Sequence, residues 1–471
     1  MSERALHLWS IARVPAAVLL VTVAFVFSVA TVSHGRYAMG DFKAFYCSGS
    51  ALLHHENPYA TGPMARCEAM AAPVPLYVAK PGEVLPAPVP GYVAAVFAPF
   101  ALLPFPLAAA LWLVLLAAAT AAAIVLLCKT GVGDPASLAV ALALVVVAIC
   151  FPVGELPPVA LLGIALAAWA ARRHRQWLFA VGVALTFSEP QIGIALLVAA
   201  LALGRRFALP ALVATFVLGL VSLTAVGVAG NLEYFRVVLP AHLLSELPSV
   251  LQYSLSWMLY GVGVAPIPAL LVGRLSWIVM LGVTFWFARG AFARARPEVA
   301  FLAAPAFAVV GGPFLHLDHI ALAVPAALWL ASNAAQPSFL RSAAVIALSV
   351  PVLYVFSNIR LAALVPFVAG WLGGVCGRGA IAGLRAALAA IVALAFIGMA
   401  TVLTGTGSMH ISPLQPLPES LPQAAWAQYI GKHFVMTAWT IWLVKAPIWF
   451  GIVATAAGLI RLAQRPSTEP V

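Results

Sequence analysis

Residues 105–128 read FPLAAALWLVLLAAATAAAIVLLC, a run with no charged side chain, and Lys129 follows at once. Crossing the hydrocarbon core of a bilayer takes about 20 apolar residues in a helix. Only a helix satisfies its own backbone N–H and C=O groups where no water is at hand. The stretch therefore spans a membrane, and it has many companions. On either side of it apolar runs recur at 12–31, 137–152, 156–171, 177–188, 190–204, 208–229, 265–288, 298–312, 317–333, 341–357, 360–376, 383–404 and 434–460. The expected fold is all-α, a polytopic integral membrane helical bundle of about 11–14 spans. Short neighbours such as 177–188 and 190–204 read equally as re-entrant hairpins.

Composition agrees. Hydrophobic residues make up 64% of the chain and charged residues 8%, where a soluble domain carries roughly 25% charged; mean hydropathy is +1.05. The net charge of +11 then reports orientation in the bilayer and implies no nucleic-acid partner. The polar N-terminus, with Arg4 and Arg13, leads into an apolar run with no small-residue cleavage site after it, so an uncleaved first helix is expected. No internal repeat is visible, and the 36 prolines and 35 glycines suit broken helices that line a cavity.

With the N-terminus inside, most cations fall on cytoplasmic turns: Arg13, Lys129, Arg172, Arg173, Arg175, Arg205, Arg206, Arg289, Arg294 and Arg296 among them. That is the positive-inside pattern. Most acids and histidines fall on the other side, including Asp41, Glu56, Glu68, Glu155, Glu189, Glu233, Glu246 and Asp318 with His242, His316 and His319. Acids contribute little to topology, so their gathering points to a site on the extracytoplasmic face. Three loops would frame it, 32–104, 230–262 and 405–433, on one transmembrane domain covering 1–471.

The first of these loops opens with Gly40-Asp41-Phe42-Lys43-Ala44-Phe45-Tyr46 and continues to Glu56-Asn57-Pro58-Tyr59. A carboxylate at a lipid boundary is costly unless paired, hydrated or used, which makes Asp41 a functional candidate; its plain alternative is an N-cap. Pro152-Val153-Gly154-Glu155, Ser188-Glu189-Pro190-Gln191 and His316-Leu317-Asp318-His319 stand at outer helix ends. Glu155 and Glu189 could equally satisfy nearby backbone or pair with Arg236 or Arg360. Cys47 and Cys67 share the first loop and could bridge if it is extracytoplasmic. No Cys/His zinc spacing and no nucleotide-binding, GxSxG or HExxH motif occurs, which speaks against a zinc site, ATP-driven transport and serine hydrolysis; a metal pair at His316, Asp318 and His319 stays conceivable.

Asp41-Phe42-Lys43-Ala44-Phe45-Tyr46 with Asn57-Pro58-Tyr59 resembles the motif that opens the first outer loop of glycosyltransferase family 87. These are C-type membrane enzymes that use polyprenyl-phosphate sugars, mannose being the best-known one. Pro88 to Leu103, Ser188-Glu189-Pro190-Gln191 and His316-Leu317-Asp318-His319 resemble later family segments in the same order, so the likeness runs over about residues 35–335. Two departures stand out: the family's lysine before Pro-Gln is Glu189 here, and its Asn-Gly-Gln stretch is represented by Gly154-Glu155. The resemblance implies a C-type glycosyltransferase fold with interfacial helices in the first loop, in a bacterial inner membrane with a periplasmic site. It implies Asp41 as general base in an inverting transfer of mannose or a related sugar to a glycolipid or cell-envelope glycan, with no metal and no cofactor. Lys43, Tyr46, Glu189, Gln191, Arg236, His316, Asp318, His319 and Arg360 become candidates for holding the donor's sugar or phosphate. Two alternatives stay open, a flippase for lipid-linked sugars and an O-antigen-ligase type of glycan transferase. The nearly pure Ala/Leu/Val inner halves of the helices speak against the first, and the early position of the largest polar loop against the second.

Overall fold

The computed structural model describes residues 13–27, 39–71, 84–333, 339–349, 364–376, 379–404, 416–433 and 440–464. Arg36 and Arg360, two of the outer cations, lie outside these residues. Among those described, no strand occurs and helices follow one another along the chain, as the apolar runs require. The helices are α1 (Arg13–Phe27), α2 (Gly40–Leu53), α3 (Thr61–Ala71), α4 (Gly91–Phe97), α5 (Phe105–Thr130), α6 (Pro135–Val153), α7 (Pro157–Arg173), α8 (Gln176–Thr186), α9 (Pro190–Leu203) and α10 (Arg205–Glu246). They continue as α11 (Leu255–Gly261), α12 (Pro266–Arg289), α13 (Pro297–Gly311), α14 (Val324–Asn333), α15 (Phe339–Ser349), α16 (Val365–Cys376), α17 (Ala380–Thr404), α18 (Pro422–His433) and α19 (Thr440–Ala463).

Helices α5, α6, α10, α12 and the Lys445–Ala463 part of α19 are each long and apolar enough to cross a membrane. The protein is thus an all-α, multi-pass membrane protein. α7 packs at the centre through small residues, with Ala160, Ala167, Ala168 and Ala171 fully buried. A Cβ on Gly163 would come within 2.6 Å of the Thr186 amide, and one on Gly182 within 2.6 Å of that of Ala167, so α7 and α8 meet backbone to backbone. Close approach of this kind replaces the hydrophobic drive that lipid does not supply. The outer faces of α10 and α12 expose Phe216, Leu220, Ile278 and Phe285, as a lipid-facing surface should.

The segment 230–262, expected as an outer loop, is largely helical. Helix α10 runs on to Glu246 and breaks only at Gly227, whose φ of 68° is open to glycine. Asn231 donates to the carbonyls of Gly227 (2.6 Å) and Ser222 (3.1 Å), which occupies acceptors near the break. A wide, π-helical turn over Tyr234–Val238 then carries the chain to Glu246.

The two ends of the bundle differ. At one, Arg13 pairs with Asp134 at 2.6 Å, Arg172 donates to the Lys129 carbonyl (3.4 Å), and Asn333 donates to that of Gly131 (3.0 Å). At the other end gather α2–α4, the turns α6–α7 and α8–α9, the end of α10, residues 312–319 and α18. Thr61 on α3 bonds the carbonyls of Glu419 and Ser420, which joins the early loop to the late one.

Candidate active site

Asp41 is placed by its neighbour. The fully buried Phe42 ring lies 5.8–6.2 Å from the rings of Tyr46, Phe97, Phe100, Phe105 and Trp112, and the Tyr46 hydroxyl donates to the Leu103 carbonyl (2.9 Å). These contacts fix α2 against α4 and α5. The capping role open to Asp41 is not taken. Met39 is the N-cap, its amide donating to the Pro152 carbonyl at 2.6 Å, and Asp41 sits in the first turn at the positive end of α2. Cys47 and Cys67 are bridged, with Cα atoms 5.5 Å apart, tying α2 to α3.

Glu155 arrives from the turn after α6. The last part of α6 is a π-helical stretch, Ala143–Cys150, and Gly154 then turns with φ 82°. A Cβ on Gly154 would lie 2.6 Å from that of Phe42, so only glycine lets this turn close on α2. Trp112 Nε1 donates to the Gly154 carbonyl (2.9 Å) and holds it there. Asp41 and Glu155 share a side-chain hydrogen bond, which two carboxyls form only when one keeps its proton. Burial raises both; Asp41 rises to about 7, lowered somewhat by the Glu155 bond and raised by the charges of Asp318 and Glu246. Glu155 lies well above the usual carboxylate range, through burial and then the charge of Asp41. Both side chains stay half-buried, so substrate can reach them although their surroundings are dry.

The remaining groups form two histidine–carboxylate pairs around one aspartate. Glu189 is the N-cap of α9 but makes no capping bond; its Oε2 lies 2.9 Å from His319 Nε2. The His316 amide donates to His319 Nδ1 (3.1 Å), which leaves the ring proton on Nε2, facing Glu189. Gln191 donates to Glu189 Oε2 (3.2 Å). His316 Nε2 lies 3.0 Å from Glu246 Oε2, and Trp426 of α18 donates to the other Glu246 oxygen. Asp318 Oδ1 sits 3.9 Å from His316 Nδ1 and 3.7 Å from His319 Nδ1. Burial opposes charge on His316, but Glu246, by charge and hydrogen bond, and Asp318 override it and raise its pKa.

Glu189, Glu246, Asp318 and His319 are buried and support the half-open Asp41, Glu155 and His316. Of the sequence candidates, Asp41, Glu189, Gln191, His316, Asp318 and His319 come together. Lys43 does not join them: it is buried on α2 near Glu68, its pKa lowered by burial despite that charge. Tyr46 is a packing residue. Arg236 is exposed on α10 and so stands apart. Asn57 makes an Asx turn to Tyr59 and bonds Glu233, a structural role. Sequence reasoning did not place Glu246 and Trp426 in the site, nor pair Glu155 with Asp41. Only the one-sided distribution of acids hinted at Glu246. Among the described residues no three of His, Cys, Asp and Glu are arranged to hold a metal ion.

Comparison with known proteins bears on this arrangement. No curated protein and no solved structure matches the chain. The family model of glycosyltransferase family 87 matches residues 90–317, a stretch that contains Glu155, Glu189, Glu246 and His316. The match overlaps the resemblance that starts at Asp41 from residue 90 onward, and over that stretch the chain is similar to glycosyltransferase family 87.

Proposed function

We propose that the protein transfers a sugar, mannose or a related one, from a polyprenyl-phosphate donor to a glycolipid or cell-envelope glycan. The site would lie on the extracytoplasmic side of a bacterial inner membrane. The observation that carries this reading is Asp41: half-open, hydrogen-bonded to Glu155, and raised to about 7 by burial. A base poised near the working pH is the best proton acceptor. The acceptor hydroxyl attacks the anomeric carbon and its proton passes to Asp41. The bond from that carbon to the phosphate oxygen breaks, and the polyprenyl phosphate leaves with the electron pair. One displacement inverts the anomeric centre. His316, favoured in its charged form by Glu246, is the group available to stabilise charge on the departing phosphate. The cation distribution along the sequence and the Cys47–Cys67 bridge, a feature of oxidising compartments, support the placement outside.

Transfer of radiolabelled sugar from polyprenyl-phosphate mannose, and from the arabinose analogue, to membrane lipids tests the reading. Transfer by the wild type that vanishes in a folded Asp41→Asn variant supports it. Equal transfer by both would make Asp41 structural, and an absence of transfer from any such donor would overturn the reaction.

A further inference from the structure

The last helix carries a lysine that the reaction above leaves unused. Lys445 of α19 is fully buried. Its Nζ donates to the Gln252 carbonyl and lies 3.4 Å from the ring centre of Trp257 and 4.6 Å from that of Tyr253. Among the described residues no carboxylate pairs with it. A buried amine without a countercharge is costly, and the groups around it repeat the same deficit. Among the described residues, Gln252 Nε2, the Tyr253 hydroxyl and Trp442 Nε1 are buried without a hydrogen-bond partner. Gln252 Oε1 is taken by the Leu315 amide (3.1 Å), so its idle atom is the NH₂ donor, and an indole N–H can only donate. Idle donors beside a lysine match an anion that accepts from all of them.

This cluster adjoins the candidate active site. The Tyr253 amide donates to the Leu315 carbonyl (2.6 Å) and the Leu317 amide to that of Leu251 (3.1 Å), so the 251–253 segment is laced to the one that presents His316. Trp257, Trp442 and Trp449 have ring centres 5.3–6.0 Å apart. Trp442 and Trp449 are half-buried and bring an aromatic wall to the surface of the bundle. A headgroup that arrives on a lipid can reach such a place without passing through water.

We propose that Lys445, Gln252, Tyr253 and Trp442 bind the phosphate of the polyprenyl-phosphate donor and of the polyprenyl-phosphate product. The proposal rests on the transfer reaction above. The competing role is a clamp that merely fastens α19 to the 251–257 segment.

The test uses the full chain in detergent, wild type beside Lys445→Met, Lys445→Arg and Tyr253→Phe. Thermal shifts are titrated with a polyprenyl phosphate, with the polyprenol that lacks the phosphate, and with inorganic phosphate. The expected result is a saturable shift with polyprenyl phosphate and none with polyprenol. Its apparent affinity should fall tenfold or more in Lys445→Met and severalfold in Tyr253→Phe, and survive in Lys445→Arg. In transfer assays the same variants should raise KM for the donor more than they lower kcat. Equal affinity for polyprenyl phosphate in wild type, Lys445→Met and Tyr253→Phe overturns the site, as does binding of inorganic phosphate alone with no response to the lipid. If Lys445→Met does not fold, Tyr253→Phe decides, since it removes only an unpartnered hydroxyl. A wild type that binds polyprenyl phosphate through Lys445 yet transfers no sugar keeps the site and overturns the reaction.

Discussion

The two ends of the bundle draw on the same kinds of charged residue and treat them differently. At the basic end Arg13 and Asp134 form a pair whose side chains keep 27% and 33% of their surface open, and Arg172 reaches only a carbonyl. At the acidic end the side chains of Glu189 and His319 keep 9% and 6%, and Asp41 and Glu155 lie close enough to Asp318 for its charge to raise both. Exposed cations beside a bilayer serve as anchors and topology signals. Carboxyls crowded together in a dry setting are expensive, and such groups cluster where protons are moved. What separates an anchor from a site here is burial and mutual contact.

The largest contrast should appear in rate. Asp41→Asn keeps the size of the side chain and removes the base, so transfer should fall by about 10²–10⁴. Arg172→Ala, at the other end, should change it by less than about twofold, a surface effect. Steady-state transfer in matched membrane preparations measures both, and comparable losses would erase the distinction between the ends.

Stability should divide the ends in the same sense. Glu189→Ala leaves the His319 Nε2–H buried without its acceptor, which costs about 1–3 kcal/mol. Arg13→Ala breaks a partly solvated pair worth about 0–1 kcal/mol. Thermal unfolding of the purified variants compares them. A larger drop for Arg13→Ala would mean that the basic end, and not the histidine–carboxylate cluster, holds the helices together.

The contrast was half visible in the sequence. The run at 105–128 and its companions gave the helices, because length and apolarity are local properties. Asp41 was legible because it follows the first span in a chain nearly free of charge. Its partners were harder: Glu155, Glu189, Glu246 and Asp318 are far apart in the chain, and only the fold shows that Gly154 turns Glu155 onto α2 while α10 carries Glu246 under Trp426. The helical course of 230–262 was hidden for a related reason. Polar and aromatic residues there suggested a surface crossing, whereas Gly227 lets the helix bend and resume, and Asn231 occupies carbonyls beside the bend. Arg236 misled because charge is visible in a sequence and exposure is not.

The finest distinction lies in pH dependence. An acid raised to about 7 is protonated below that pH and cannot accept a proton, so the rate should climb as pH rises through about 7. The same displacement acts on stability with the opposite sign. An unfolded aspartate ionises near 3.8; ionising Asp41 in the folded protein is harder, so stability from this group is full below that value and lost as pH rises through about 7. Glu155 opposes the shift only as a hydrogen-bond donor, which requires its own proton. In Glu155→Gln the amide donates at every pH and carries no charge, so the Asp41 carboxylate gains a permanent partner. The acid limb of the rate profile should then move to lower pH, by about one unit, while Arg172→Ala leaves it in place. A limb that stays put in Glu155→Gln would mean that Glu155 does not govern the base. A limb that moves upward would mean that the protonated Glu155 carboxyl is a better donor to the Asp41 carboxylate than the amide that replaces it.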